Sequence, residues 1–416
     1  MKESPPVPPR PSQECPMDVL EVLRRKPSLN LFPIENRLSP RAREALASDA
    51  NNRYPYVEGP VSHYGDVMGL GEVYDYCVDL AKEFYGARHG CVHFLSGLHT
   101  MYTVITALVP AGSRVMVLHP EDGGHYATIT ICEGLGHSVS RLPFDRKTLL
   151  IDYEELAVQL AESPVDVIYL DASSMLRLPD ARLLRQAAPD TLLCLDASHL
   201  MGILPAAPKT LVFDGGFDTV SGSTHKTLPG PQKGLMVTND ATLAGKVMER
   251  IPFTASSSHA GNVGALAITL EELMPCRVEH AQQIIANARE LAAQLAQRGF
   301  SVAGEEFGWT ETHQVWAYIP EEQGPHGWGR VLTRANVRST TVPLPSSDGL
   351  PALRLGTQEL TRSGMKEAEM TEVADILERL LLRGEAPEQV IGTVRDLALR
   401  FPGVSWIGSA DTTSVD

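Results

Sequence analysis

Apolar residues follow two alternating patterns along most of this chain. Short unbroken apolar runs, typical of strands buried on both faces, alternate with segments in which apolar residues recur every three to four positions, as on one face of a helix. The strands predicted in this way are 114–118, 166–170, 192–195 and 235–238. The predicted helices are 71–85, 98–109, 126–134, 152–162 and 181–187. Strands separated by helices predict an α/β fold, a large parallel-rich sheet with right-handed crossovers.

The pattern changes toward the C-terminus. Residues 261–299 are predicted to be helical, with a long amphipathic pattern through HAQQIIANARELAAQLAQRG that links two domains. The elements predicted after it belong to a smaller C-terminal α+β domain: strands 313–319 and 352–355, helices 327–335 and 366–382, and one more helix within 386–416. A chain of 416 residues exceeds what one core usually holds, so two domains are expected.

The N-terminal region predicts little regular structure. Residues 1–16 are Pro-rich and are expected to form a disordered arm. Residues 17–60 predict a helical arm, with short helices at 17–27 and 38–50. We place the large domain at 61–275 and the linker helix with the small domain at 276–416. A long Gly-, Pro- and Tyr-rich loop at 51–71 is expected to be functional, because compact domains rarely keep such loops otherwise.

Charge and cysteine content exclude some classes of partner. The formal net charge of −15 disfavours nucleic acid and anionic membranes, which require a positive surface. No apolar run approaches the ~18 residues needed to span a bilayer. The six cysteines are scattered without a CxxC pair, which favours a reducing cytoplasm over a disulfide framework or a metal site.

Two segments carry the strongest chemical signals. Lys226 lies in the run SGSTHKTLPGPQKG, which predicts a loop between buried strands. Most lysines are solvent-exposed, but an amine shielded from water has a lowered pKa and can form a Schiff base with an aldehyde. Asp196 ends the apolar run of TLLCLDASH, at the sheet edge where ligands bind in α/β folds. It is either a helix cap or, beside such a lysine, the partner of a protonated pyridine nitrogen.

Other candidates are weaker when taken alone. His125 follows two glycines at the start of a predicted helix, and it is either a cap or a ring able to approach a flat ligand. Arg354, in ALRLGT, suits a carboxylate bidentately, the alternative being a surface ion pair. Ser96 and Gly97 precede a helix, where free N–H groups and the dipole attract phosphate. Ser173 follows the strand VIYLDAS and could contact a cofactor.

These motifs, in this order, resemble the serine hydroxymethyltransferase family of fold-type I pyridoxal-phosphate enzymes. The resemblance covers roughly residues 30 to 385. The matching positions are Thr224, His225, Lys226 and Thr227 with Gly230 and Pro231, then Asp196 and His199 in DASHLMG, His125, Arg354 in its LRxGT context, Tyr56, Glu58 and Gly59 in a YxEG motif, and Tyr64.

The resemblance implies an aspartate aminotransferase-like fold, pyridoxal phosphate as cofactor, and a homodimer with shared active sites in which the segment around 51–71 reaches the neighbouring subunit. Lys226 would hold the cofactor, Asp196 its ring nitrogen, and His125 the face of its ring. The other implied cofactor contacts are Ser96, Gly97, Ser173, His199, Ser223, His225 and Tyr56. Arg354, Tyr64 and Glu58 would bind the substrate. Glu58 is the first candidate for the catalytic base, with His199 a weaker one and more of an orienting residue.

The departures from the family pattern point to a smaller branch. The run PGPQKG replaces the usual RGPRGG, Leu98 replaces a serine of the phosphate loop, and Ile34 replaces the serine before a Glu-Asn pair. The usual Gly-Gly is not recognisable around 256–261. With EEFGWTETHQV and LRLGTQELTRSGMKE, the chain looks like the L-threonine transaldolases of antibiotic and fluorometabolite biosynthesis.

Three functions therefore stay open at this point. A threonine transaldolase cleaves threonine to acetaldehyde and adds the remaining glycine unit to another aldehyde, so its substrates are an amino acid and aldehydes. A tetrahydrofolate-dependent serine hydroxymethyltransferase, or a threonine aldolase, is the alternative. A non-catalytic relative acting as a binding protein is the third, and the presence of every residue needed for Schiff-base chemistry disfavours it.

Overall fold

A seven-stranded mixed sheet forms the centre of the protein. The computed structural model describes residues 27–54, 57–58, 63–66, 68–320, 327–345 and 351–406. Along the sheet the strands are β4 (His89–Cys91), β12 (Gly234–Thr238), β11 (Thr219–Ser223), β10 (Leu192–Asp196), β9 (Val167–Asp171), β5 (Arg114–Val117) and β6 (Ser138–Arg141). β12 runs antiparallel to both neighbours, and the other pairs are parallel. The predicted parallel-rich sheet is confirmed.

The remaining strands form smaller sheets. A three-stranded antiparallel sheet has the order β13 (Gln314–Tyr318), β16 (Pro351–Gly356) and β15 (Thr340–Pro343). The short pairs are β1 (Leu29–Asn30) with β14 (Val337–Arg338), β2 (Val57–Glu58) with β3 (His63–Tyr64), and β7 (Phe144–Asp145) with β8 (Leu150–Ile151). Separate clusters of buried apolar residues lie against the seven-stranded and the three-stranded sheet. The domain boundaries drawn from the sequence stay predictions.

The helices of the described chain follow the apolar periodicity closely. They are α1 (Pro40–Ala47), α2 (Leu70–Tyr85), α3 (Gly97–Leu108), α4 (Tyr126–Gly134), α5 (Tyr153–Glu162), α6 (Ala181–Ala187), α7 (Ala241–Arg250), α8 (Ala260–Leu273), α9 (Arg277–Gln297), α10 (Gly327–Arg334), α11 (Gln358–Arg362), α12 (Glu367–Leu381) and α13 (Pro387–Arg400). Among the described residues, none of these is both long and apolar enough to cross a membrane.

The helical structure predicted over 261–299 is confirmed, as two helices. A 3₁₀ turn at Met274–Cys276 separates α8 from α9. Pro275 lies inside this turn, and proline has no N–H to donate and clashes with the preceding helical turn. The segment therefore forms two consecutive helices, α8 and α9.

Several predictions from the N-terminal half fall outside the described residues. The arm 1–16, residues 17–26 of the first predicted helix, and Tyr56 are among them. Glu58 and Tyr64 lie on β2 and β3, which pair in antiparallel register, but their side chains are outside the described part. The long loop 51–71 thus contains a short hairpin.

Candidate active site

A cavity of about 240 Å³ opens at the carboxyl ends of β9 and β10. The predicted site residues that line it are Ser96, Gly97, His125, Ser173, Asp196, His199, Ser223, His225 and Lys226. Leu98, Met101, Asp171, Ala172 and Ser198 complete the lining. Residues from distant parts of the chain meet here because parallel strands bring their carboxyl ends to one edge of a sheet.

Lys226 lies on the loop between β11 and β12, as predicted. Its backbone carbonyl accepts a hydrogen bond from Asn36 Nδ2 at 2.7 Å, which fixes the loop from the N-terminal segment. Burial lowers the pKa of the Lys226 amine to about 8, Asp196 opposes this shift, and Arg354 adds to it. An amine with this pKa is partly unprotonated near neutral pH and is therefore a competent nucleophile toward an aldehyde.

Asp196 is held at the cavity wall rather than used as a helix cap. The backbone N–H of Ser198 donates to its Oδ1 at 2.9 Å, and the hydroxyl of Tyr169 lies 3.4 Å from its Oδ2. The residue is 6% exposed. The carboxylate is thus oriented by two donors and can face a cationic ring nitrogen in the cavity.

His125 caps a helix and also lines the cavity. Its Nδ1 accepts from the backbone N–H of Ala127 at 3.2 Å, so it caps the start of α4. Burial lowers its pKa, and the neutral ring carries its proton on Nε2 because Nδ1 is an acceptor. The ring stacks on Tyr126 with centroids 4.6 Å apart. A neutral imidazole fixed in this way offers a flat surface to the cavity.

His199 belongs to a buried polar array that the sequence did not reveal. Gln314 Nε2 lies 3.3 Å from His199 Nδ1 and also donates to the carbonyl of Ser173 at 3.0 Å. His313 stacks on the His199 ring with centroids 5.6 Å apart. Burial holds the pKa of His199 well below its usual range. These contacts favour an orienting role for His199.

The loop at the start of α3 has the geometry of an anion cradle. Ser96 Oγ accepts from the backbone N–H of His99 at 3.1 Å, which caps the helix. A Cβ on Gly97 would lie 2.8 Å from the Cβ of Ser223, so only glycine permits this close approach. His225 Nδ1 is buried without a partner among the described groups. Helix N–H groups and this free nitrogen fit the phosphate of a bound cofactor.

Arg354, on β16, is buried rather than in a surface ion pair. Its Nη1 donates to the carbonyl of Ser173 at 2.9 Å and to Ser174 Oγ at 3.0 Å. Burial lowers its pKa to about 10, so the guanidinium stays charged at neutral pH. Its Nε is buried and has no partner within the described chain. An unsatisfied charged donor near the cavity fits the carboxylate of an amino acid.

Lys233 is a buried cation behind the phosphate-loop residues. It is 1% exposed, and its Nζ donates to the carbonyls of Phe94 and Ser258, both at 2.9 Å. Phe94 leads directly into Ser96 and Gly97. Burial lowers the pKa of Lys233 to about 8. The lysine therefore ties the cradle to the segment that precedes α8.

Replacing Lys233 with Met is expected to destabilise the holoenzyme by about 2–4 kcal/mol, because two buried carbonyls lose their donor. Urea unfolding measures this free energy, and Lys246→Met, on the exposed face of α7, is the matched control. Because the fold lowers the pKa from its ordinary value of 10.5, wild type should gain stability relative to K233M as the pH rises above about 8. Equal free energies of unfolding for wild type and K233M would show that the two hydrogen bonds of Lys233 contribute nothing to stability.

Together, a half-buried lysine, an aspartate and an imidazole around one cavity at the carboxyl edge of an α/β sheet define the class of pyridoxal-phosphate-dependent transferases. Comparison with known proteins supports the same class. The family model described as serine hydroxymethyltransferase matches residues 17–377. The chain belongs to the serine hydroxymethyltransferase family.

Individual relatives fall into two functional groups. The chain is 33% identical over 396 residues to a fluorothreonine transaldolase of Streptantibioticus cattleyicolor, covering 91% of this chain and 61% of that longer protein. It is 33% identical over 383 residues to an L-threonine:uridine-5'-aldehyde transaldolase of a Streptomyces species, covering 90% and 89%. It is 31% identical over 396 residues to a serine hydroxymethyltransferase of Methanocella arvoryzae, covering 92% and 93%.

A solved structure also superposes on most of the chain. The L-threonine transaldolase from Pseudomonas fluorescens, crystallised in its internal aldimine state, matches with a TM-score of 0.85 and 29% identity. The match covers 90% of this chain and 88% of that one. The fold predicted from the sequence is confirmed.

Proposed function

We propose that this protein is an L-threonine transaldolase. It would cleave threonine between Cα and Cβ, release acetaldehyde, and add the remaining glycine unit to a second aldehyde, giving a β-hydroxy-α-amino acid. Two of the relatives and the structural neighbour are transaldolases by name. The run PGPQKG after Lys226, which departs from the pattern of serine hydroxymethyltransferases, supports the same choice.

The observation that carries the proposal is the placement of the Lys226 amine against Asp196 in one cavity, with Arg354 nearby. Lys226 would hold the aldehyde carbon of pyridoxal phosphate, Asp196 would face its ring nitrogen, and His125 would lie on its ring. Ser96 and Gly97 would receive the phosphate. When bound, the cofactor supplies an electron sink for cleavage of the bond at Cα.

Arg354 would orient the substrate. Its Nη1 is held by Ser173 and Ser174, so Nε, which has no partner among the described residues, and the neighbouring Nη2 would present a charged fork to the carboxylate of threonine. Fixing the carboxylate sets the direction of the Cα–Cβ bond, and correct alignment lowers the barrier to its cleavage. Glu58 remains our candidate for the base that takes the β-hydroxyl proton, and Tyr56 and Tyr64 remain candidate contacts from the same segment.

A homodimer with shared sites is part of the proposal. Leu98 lines the cavity and is 46% exposed, and Tyr126, which stacks on His125, is 76% exposed. Large apolar side chains left exposed around a site mark an interaction surface, and a second copy of the chain would cover them. Covering the cavity would also keep water from protonating the transferred carbon.

Serine hydroxymethyltransferase activity is the second candidate. The family model and several archaeal relatives carry that name. The family's phosphate-loop serine is replaced here by Leu98, which lines the cavity, and this departure weighs against it. A threonine aldolase that releases glycine without transferring it would share the same first half of the reaction.

The deciding experiment supplies threonine with and without a panel of aldehydes and measures acetaldehyde release and product mass. A transaldolase releases acetaldehyde faster when an acceptor is present and forms the exchanged amino acid. Serine with tetrahydrofolate as the only productive pair would overturn the proposal in favour of hydroxymethyl transfer. Free glycine at the same rate with or without acceptor would identify an aldolase.

A further inference from the structure

Two carboxyl groups, not one, end neighbouring strands in the cavity wall. Asp171 ends β9 and Asp196 ends β10, and the two residues are direct partners in the parallel register. Both line the cavity, and Asp171 is 2% exposed. Partners on adjacent strands have side chains on the same face of the sheet and close together. The cavity wall therefore holds a pair of acids.

Two carboxylates this close in a buried site do not both ionise easily. Asp196 already has the donors expected for an anion, Ser198 N and the Tyr169 hydroxyl. Neither acid forms an ion pair with a lysine or arginine of the described chain. The Ser198 N–H that faces Asp196 can only donate, whereas the Thr128 hydroxyl that faces Asp171 can also accept, so Asp171 is the acid of the pair that can keep its proton.

The hydrogen bonds of Asp171 agree with an uncharged carboxyl. Its Oδ2 is in hydrogen-bond contact with the Thr128 hydroxyl, and its Oδ1 lies 3.5 Å from the backbone N–H of His125. Thr128 Oγ1 also lies 3.6 Å from Met101 Sδ. One hydroxyl proton serves only one of these acceptors. If the carboxyl donates to Thr128 Oγ1, the hydroxyl is free to donate to the sulfur, and every group is satisfied.

We propose that Asp171 is a positioning residue that acts as a neutral carboxylic acid, joining Thr128 and the backbone of His125 to the end of β9 without adding charge beside Asp196. It thereby fixes the imidazole at the cavity and leaves one anion for the cofactor's ring nitrogen. The idea rests on the proposed cofactor site.

Burial and the neighbouring acid favour this state. Asp196 on β10 opposes ionisation of Asp171, whereas the Lys226 amine, which lines the same cavity, favours it. Tyr169 on β9 and Cys132 on α4 have pKa values that burial raises, so both are uncharged at neutral pH. The His125 ring is neutral. Burial, followed by Asp196, raises the pKa of Asp171 well above its usual range, although Thr128 lowers it.

Asp171→Asn is the direct test, because an uncharged amide, like the protonated acid, offers a donor group and an acceptor oxygen in nearly the same shape. We expect the D171N holoenzyme to bind the cofactor with an affinity within about twofold of wild type. The absorbance of its bound cofactor between about pH 6 and pH 8 should likewise stay within about twofold of wild type. Asp171→Leu removes both contacts, and it should weaken cofactor binding about tenfold or more. Thr128→Val should also weaken cofactor binding, as D171L does.

Thermal unfolding of the holoenzymes gives a readout independent of catalysis. A raised pKa means that the folded protein holds a proton that the unfolded chain loses, so wild type should lose stability relative to D171N from about pH 5 to about pH 8. Asp190→Asn, on an exposed position, should show no such trend. A tenfold loss of cofactor affinity in D171N, or a stability difference that does not change with pH, would overturn the proposal. Because no substrate is present, the result is independent of whether the enzyme proves to be a transaldolase.

Discussion

Replacing Lys226 with Ala is expected to lower threonine-dependent acetaldehyde release by about 10³-fold or more, because the variant loses the amine that holds the cofactor covalently. The cofactor could still enter the cavity and contact Asp196 and His125. Its absorbance should then be that of a free aldehyde. Steady-state kinetics together with an absorbance spectrum of the purified variant measure both effects.

Lys246→Ala is the matched control for this experiment, since Lys246 is exposed on α7 and does not line the cavity. It should retain wild-type rate and spectrum. An active K226A enzyme with an unchanged spectrum would mean that another amine carries the chemistry, and the site would have to be placed elsewhere.

Replacing Arg354 with Ala should lower kcat/KM for threonine by about 10²-fold, as expected when a buried charged donor to a carboxylate is lost. Most of the loss should be in KM if Arg354 only binds the carboxylate, and in kcat as well if it aligns the breaking bond. Titration with threonine and with an amino alcohol that lacks the carboxylate separates these cases. The amino alcohol should react equally poorly with wild type and R354A.

Arg354→Lys keeps the charge but loses the fork, so its activity should lie between wild type and R354A. Arg395→Ala changes an exposed arginine and serves as the control for loss of charge alone. A wild-type KM for threonine in R354A would exclude Arg354 from substrate binding. Its contacts with Ser173 and Ser174 would then be structural.

Much of the large sheet was predictable because buried parallel strands have an unbroken apolar signature. Strand β11 was not, since Thr219–Ser223 is made of small and hydroxyl-bearing residues that are typical of a loop. It lies between β10 and β12, where its small side chains permit close packing under the Lys226 loop. Pro275 indicates the break between α8 and α9, because proline interrupts a helix.

The site was predicted only in part, because some of its residues leave a signal in the sequence and others are placed by tertiary packing. Asp171 ends VIYLD just as Asp196 ends LLCLD, so the sequence carries the same signal for a second acid. Gln314 and His313 could not be placed, because they reach His199 from the three-stranded sheet through tertiary packing alone. The buried state of Lys233 likewise depends on carbonyls 139 and 25 residues away.

The central claim is that Lys226 holds pyridoxal phosphate in this cavity. Borohydride reduction of the purified holoenzyme, followed by proteolysis and mass spectrometry of the peptides, tests it most directly. We predict a single pyridoxyl-modified lysine, Lys226, in the peptide that contains THKTLPGPQ. Modification of Lys233 or another lysine instead, or no modified peptide from an active preparation, would contradict the assignment.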